Sequence, residues 1–299
     1  MVLLDYKLLH ALSVVLNEQS FDKAASVLAI TQSAVSQRIK SLEQIIGQPV
    51  LIRAQPIVAT AIGKKLLGHY QQVKLLEQDI IPDISGNKKH ETITANIASN
   101  ADSLATWLIA AIGDVSHQYN LAVNFRLADE NRTINYLKDG EVFGAISTYD
   151  QALPGCTLEK LGDMHYLLVA APSFIASYFP EGINKQTLAR TPAVAYDQKD
   201  DMHIKYIEQT FGLKGGSYPC HTVRSSEAFV NFAKQGLAYC LIPKLQIQAE
   251  LASGELINLM PENPIIRTLY WHHWVLLKGV FKQLSSAIIS RAQYALNNQ

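Results

Sequence analysis

The segment 32–46 constrains this chain more than any other. Val35, Ile39, Leu42 and Ile46 recur at i, i+4, i+7 and i+11, so a helix there carries one apolar stripe. Thr31 offers an N-cap and Gly47 a C-terminal stop. The opposite face holds Ser33, Ser36, Gln37 and Lys40, with Gln32 and Arg38 beside it. Gln, Ser and Arg can read base edges in a major groove wide enough for a helix. Arg38 and Lys40 can neutralise phosphates. A solvated helix face has the same composition, so the neighbouring segments must decide.

Those neighbours favour a DNA contact. Leu4, Leu8, Leu12, Val15 and Leu16 predict a first helix over about 5–18. Phe21–Ile30 reads as a second, short helix whose Ala24 and Ala25 let another helix approach closely. A short Ala-rich helix, a tight turn and a polar-faced helix are the parts of a helix-turn-helix. Pro49–Arg53 and Ile57–Thr60 then read as two short strands around Ala54-Gln-Pro56, a β-hairpin wing with Arg53 placed to reach the DNA backbone or minor groove.

Charge divides the chain the same way. Lys plus Arg number 26 and Asp plus Glu number 26, which excludes a uniformly basic nucleic-acid coat. Residues 1–89 carry a net +3 and residues 90–299 a net −3. A mildly basic front and a mildly acidic back suggest two jobs. At ~150 residues per domain the length implies two domains, with three possible. With 48% hydrophobic and 17% charged residues the chain is not disordered.

Three stretches, Phe21-Asp-Lys-Ala-Ala, Thr31–Glu43 and Gly47–Arg53, resemble the winged helix-turn-helix of LysR-type transcriptional regulators. Ile52 stands where that family usually carries Phe, an apolar exchange.

Thr60 can cap a further helix to about 84. In it Ile62, Leu66, His69, Val73, Leu76 and Ile80 form a heptad seam with one polar member. Such a seam needs a partner: a second copy, or the chain's own back half. The family resemblance implies pairing of two subunits through this helix, as a homodimer or a dimer of dimers. Ser85–Lys89 reads as a polar hinge. The expected divisions are 1–60 (winged helix-turn-helix), 61–86 (linker helix) and 90–299 (effector domain).

The back segment alternates strands and helices. Strands are expected at 93–99, 121–127, 142–147, 165–171, 193–196, 220–224, 239–242 and 269–276, with helices at 104–112, about 131–138 and 280–297. That order implies parallel βαβ units in two lobes. Crossings fall near 161–165 and 266–269, giving lobe one as 90–162 plus 267–299 and lobe two as 163–266. The fold class expected is α/β with an N-terminal winged helix-turn-helix, a linker helix and a two-lobed effector domain. The two lobes resemble a type 2 periplasmic binding protein, also the effector fold of LysR-type regulators.

Ligands in such sheets sit beyond the strand ends, at helix N-termini. Two candidates face each other: Asn100-Ala-Asp102-Ser103 and Ser225-Ser226-Glu227. Ordinary capping explains either one alone. Acidic residues cluster at the same rim, including Asp102, Glu130, Asp201 and Glu227, which suits a basic amino acid. Asp102 and Glu227 are the candidates for an α-ammonium or a cap, and Glu130 or Asp201 for a distal cation. Ser147 and His203 complete the candidate cleft set.

Asn100–Trp107, Gln151–Pro154, Asp200–His203, Ser225–Val230, Ile242-Pro and Leu251–Leu256 resemble the lysine/arginine-sensing members, the ArgP/LysG type. That resemblance implies promoter DNA, RNA polymerase and lysine or arginine as partners, control of amino-acid export genes, and no further cofactor. An inhibitor of chromosome initiation at a replication origin, or a solute-binding module without a DNA role, are the other readings. No phosphate loop, nucleophile elbow, H-E-x-x-H or C-x-x-C occurs, so neither an enzyme nor a metal site is expected. Cys156, Cys220 and Cys240 without such a pair, no apolar run of ~18 residues and no secretory signal point to the cytoplasm and away from membranes.

Overall fold

A computed structural model describes residues 4–85, 92–197 and 200–298; among these the side chains of 78–85, Asp114 and Asp201 are not described. The hinge at 86–89 and the seam position Ile80 therefore lie outside the described residues.

The front half is a three-helix unit. Helices α1 (Tyr6–Glu18), α2 (Phe21–Leu28) and α3 (Gln32–Ile46) each begin at a side-chain cap. Asp5 accepts from Lys7 N, Ser20 from Lys23 N and Thr31 from Ala34 N. Gly47 ends α3 at φ +80, a left-handed conformation that costs glycine little. Val35, Ile39 and Leu42 of α3 are wholly buried against Leu9, Leu12 and Ala24. The wing is shorter than its hydrophobic pattern suggests: β1 (Leu51–Ile52) pairs antiparallel with β2 (Val58–Ala59).

The linker helix α4 (Ala61–Ser85) starts where Thr60 Oγ1 accepts from Gly63 N, 3.1 Å. Its partners divide by position. Ile62 and Leu66 pack on the front core, and Tyr6 OH lies 3.1 Å from His69 Nε2. Leu75, off the seam, packs on the core of the back half. Lys64 Nζ reaches Asp139 Oδ2 at 2.5 Å. At Gly68 the helix backbone meets Gly140, whose Cβ would lie 2.0 Å from Gly68 Cα. The seam residues His69, Val73 and Leu76 line an apolar cavity of about 310 Å³ with Trp274, Val275, Leu276 and Phe281.

The back half is a mixed sheet, not the parallel one expected. Strands β3 (Ile93–Ser99), β4 (Leu121–Leu127) and β5 (Gly144–Ser147) pair in parallel. β6 (Cys156–Ala170), β9 (Cys240–Pro243), β10 (Ile257–Asn258) and β11 (Ile265–Trp274) join antiparallel in the same seven-stranded sheet. β7 (Ala193–Ala195) and β8 (Cys220–Thr222) form a separate parallel pair. The two expected crossings are not loops: β6 and β11 run through them as one long antiparallel pair, with a register shift between Leu269 and Tyr270. Gly162 sits there at φ +139, and a Cβ would meet Leu296 of the terminal helix (Gly279–Asn297) at 2.7 Å. One apolar cluster fills the first lobe and two fill the second.

Candidate functional site

The polar face of α3 is open. Gln32, Ser33, Gln37 and Lys40 are exposed, and Ser36 and Arg38 half-buried. Ser33 Oγ shares a 2.9 Å hydrogen bond with the capping Thr31 Oγ1, so its hydroxyl is partly committed to the helix start. Val50 N donates to Glu43 Oε1 (3.0 Å), and Gln19 Nε2 donates to Ile57 O (2.9 Å). These bonds fix the wing against the helices. Exposed Arg53 lies over the Phe21 ring, 5.3 Å from its centroid, beside the start of α2. The unit thus offers a helix face with cations at two edges, and its apolar residues hold that face rigid.

The second candidate lies between the lobes. Asn100 caps a helical rod that runs as Ala101–Ser103, widens to a π turn at Leu104–Leu108 and continues as Ile109–Tyr119. The helix starts earlier and runs longer than expected, because Asn100 Oδ1 accepts from Ser103 N. The π turn buries Trp107 (2% exposed) about two turns from the cap.

Half-buried Asp102 receives two hydroxyl donors. Tyr166 OH, on β6, gives a bond to Oδ2 at 2.8 Å, and Ser226 Oγ one to Oδ1 at 2.5 Å. Ser226 opens the second lobe's helix (Ser226–Lys234) and also lies 2.8 Å from the Gln246 side-chain amide. Burial pushes the Asp102 carboxyl up; the two hydroxyls pull it down, and the charges of Asp200 and Glu227 push it up again.

Glu130 is 5% exposed. Its Oε1 lies 4.0 Å from Arg267 Nε and has no hydrogen-bond partner. Desolvation and the neighbouring Asp129 raise it to about 8. Asn100 Nδ2 and Ser103 Oγ, both buried, are likewise unpartnered. Two hydrogen-bonding groups that follow β3 and one that follows β4 are therefore buried without a hydrogen-bond partner. Leaving such groups buried and unpaired is costly, which makes these three atoms candidates for a polar ligand.

Other expected positions are spent differently. Ser147 Oγ donates to Glu130 O (2.8 Å) and accepts from Tyr149 N (3.2 Å), so it holds backbone rather than facing a ligand. Ser225 Oγ caps the second-lobe helix and donates to exposed Glu227 Oε2 at 2.8 Å; this pair forms a cap. His203 corrects the expectation of a rim residue. It is 1% exposed, stacked 6.0 Å from Tyr239 in the second lobe's core, with both ring nitrogens unpartnered. Burial lowers it to about 4. Asp201 begins the helix Asp201–Phe211, and its side chain lies outside the described residues.

The sequence did not single out Tyr166, Gln246, Arg267 or the trio in which Arg132 (3.4 Å) and Arg224 (3.6 Å) both contact Asp197. Their partners are far apart in sequence. Only the alternation of β6 and β11 could have hinted at Tyr166 and Arg267 as inward positions.

Comparison with known proteins identifies the family. Residues 6–64 match the bacterial regulatory helix-turn-helix protein, lysR family, and residues 90–273 the LysR substrate binding domain. The chain is 52% identical to the HTH-type transcriptional regulator ArgP of Aeromonas salmonicida, over 98% of each. It is 48% identical to that of Photobacterium profundum, again over 98% of each. Among solved structures, ArgP from Mycobacterium tuberculosis superposes with TM-score 0.84 at 31% identity, covering 97% of this chain and 98% of that one. The full-length LysG of Corynebacterium glutamicum with bound effector Arg gives TM-score 0.79 at 31% identity and the same coverage.

Proposed function

The chain belongs to the LysR family of DNA-binding transcriptional regulators, ArgP/LysG-like in kind, and we propose that L-lysine or L-arginine is the effector that gates it. The α-carboxylate is received by Asn100 Nδ2, Ser103 Oγ and the N–H groups that open the helix at Ala101. Asp102 takes the α-ammonium and Glu130 the distal cation. The observation that carries this reading is the set of buried, unpartnered atoms on Asn100, Ser103 and Glu130, two donors and one acid. A solved relative that holds arginine supports the same ligand class.

The DNA partner is a promoter duplex, contacted through Gln32, Ser33, Ser36, Gln37, Arg38, Lys40 and Arg53. RNA polymerase is the downstream partner, the compartment the cytoplasm, and amino-acid export genes the target. The working divisions remain 1–60, 61–86 and 90–299. Two copies pair through α4, a reading supported by its heptad seam. Effector binding changes the cross-cleft contact of Asp102 with Ser226, and the contacts of Lys64 and Gly68 pass that change to the winged heads.

Calorimetry with L-lysine, L-arginine and L-leucine tests the effector. Heat with the first two and none with leucine is expected. Silence from all three, with no thermal protection at millimolar ligand, removes the amino-acid assignment.

A further inference from the structure

Glu130 is placed more rigidly than a rim residue needs to be. Its carbonyl accepts from Ser147 Oγ (2.8 Å), Thr133 Oγ1 (3.2 Å) and Thr148 N (3.2 Å). The backbone is thus pinned on both sides while the carboxyl stays 5% exposed with Oε1 unpartnered. The groups that face it are few. Asp129 adjoins it, Asp102 lies across from it at the start of the first-lobe helix, and Tyr166 of β6 feels its charge. Among the described residues the cation that acts on it is Arg267 of β11, whose nearest contact is 4.0 Å, the limit of an ion pair. A buried carboxylate with two acidic neighbours and one distant cation takes up a proton rather than stand as an anion. Asn100 Nδ2 and Ser103 Oγ, at the start of the first-lobe helix that also carries Asp102, are buried without partners too.

We propose that Glu130 is a cation-exchange group: the ammonium or guanidinium of an incoming effector replaces the proton on its carboxyl, and each binding event releases one proton to solvent. The balance is simple. A neutral acid and a cationic ligand become a carboxylate–cation pair plus a free proton, and net charge is conserved. Neutral amino acids cannot drive this exchange, because they leave the carboxylate buried and unpaired. Glu130 then sets selectivity for basic side chains and makes affinity depend on pH. This rests on the effector reading above.

The test is titration of the full chain with L-lysine at pH 7, in phosphate and in Tris, whose ionisation heats differ. The difference in observed heat counts protons, and release of about one per lysine is expected. Affinity is expected to tighten about tenfold from pH 6 to pH 7 and to level off above pH 8. Glu130→Gln is expected to abolish the release and flatten the slope. Lysine binding without proton release, or release that persists in E130Q, overturns the proposal and leaves the effector assignment standing. No heat with lysine or arginine overturns both. A second measurement needs no ligand. Free E130Q is expected to gain thermal stability over wild type as pH rises from 6 to 8, because only the wild type must take up a proton on folding, its carboxyl being ionised when unfolded and protonated when folded; a gap that does not change with pH overturns the proposal.

Discussion

Asp102 and Ser226, 124 residues apart and on opposite lobes, meet with Oδ1 and Oγ 2.5 Å apart. One end of this contact opens the first-lobe helix and the other opens the second-lobe helix. The lobes are therefore joined at their two facing helix starts. Tyr166, on the strand that runs between them, holds the other carboxylate oxygen. Any ligand group that engages Asp102 must renegotiate this bond.

Ser226→Ala removes one of Asp102's two donors. Leaving a half-buried carboxylate short of a partner costs ~1–3 kcal/mol. A lower melting temperature of the full chain is expected in thermal unfolding, with affinity for random DNA unchanged. An unchanged melting point would mean that the cross-cleft bond carries no stability.

On the DNA face, Gln37→Ala is expected to weaken binding to the specific operator by ~1–3 kcal/mol if a bidentate base contact is lost. Lys40→Ala is expected to weaken specific and random DNA alike and to reduce the slope of log affinity against log salt by about 1. Gel shifts over a salt series separate the two. Equal loss on random DNA for Gln37→Ala would deny it a role in reading sequence.

The rigidity of that face depends on its hidden side. Ile39 is 0% exposed between α1 and α2. Ile39→Ala is expected to cost ~2–5 kcal/mol, measured by denaturant unfolding, and to lower DNA affinity although Ile39 touches no nucleotide.

His203 makes an acid-side prediction. Its folded value is about 4, below the ordinary 6.5, because burial disfavours the charged ring. Between those values the unfolded chain binds the proton more readily, so stability falls as pH drops from about 6.5 toward 4. The middle of that window loses on the order of 1.4 kcal/mol per pH unit. His203→Phe keeps the stack against Tyr239 and removes the titration. Its melting temperature is expected to match wild type at pH 7.5 and exceed it at pH 5. Parallel acid curves for the two proteins would refute this origin.

The local elements were legible in the sequence because each is encoded by contiguous signals. The bounds of α3 follow from the Thr31 cap, the four-residue stripe and Gly47. β3 and β4 follow from alternation. The candidate pairing of Asn100–Ser103 with Ser225–Glu227 was legible from turn chemistry, and Ser226 does reach Asp102.

What chain order could not decide was which side chains are already spent. Ser147 and Ser225 carry the same hydroxyl as Ser103. The first two are committed to neighbouring polar groups, and the third is left unpartnered by its surroundings. His203 and Glu130 both read as rim polar residues. Packing stacked the first on Tyr239 in the second lobe's core and left the second, nearly as buried, without a partner for Oε1. Propensity and periodicity act over a few residues, so the sequence determined helices, strands, caps and the two-job division. Desolvation and hydrogen-bond satisfaction depend on neighbours more than a hundred residues away, as for Asp102 and Ser226. Those were settled only when β6 and β11 brought the two lobes together.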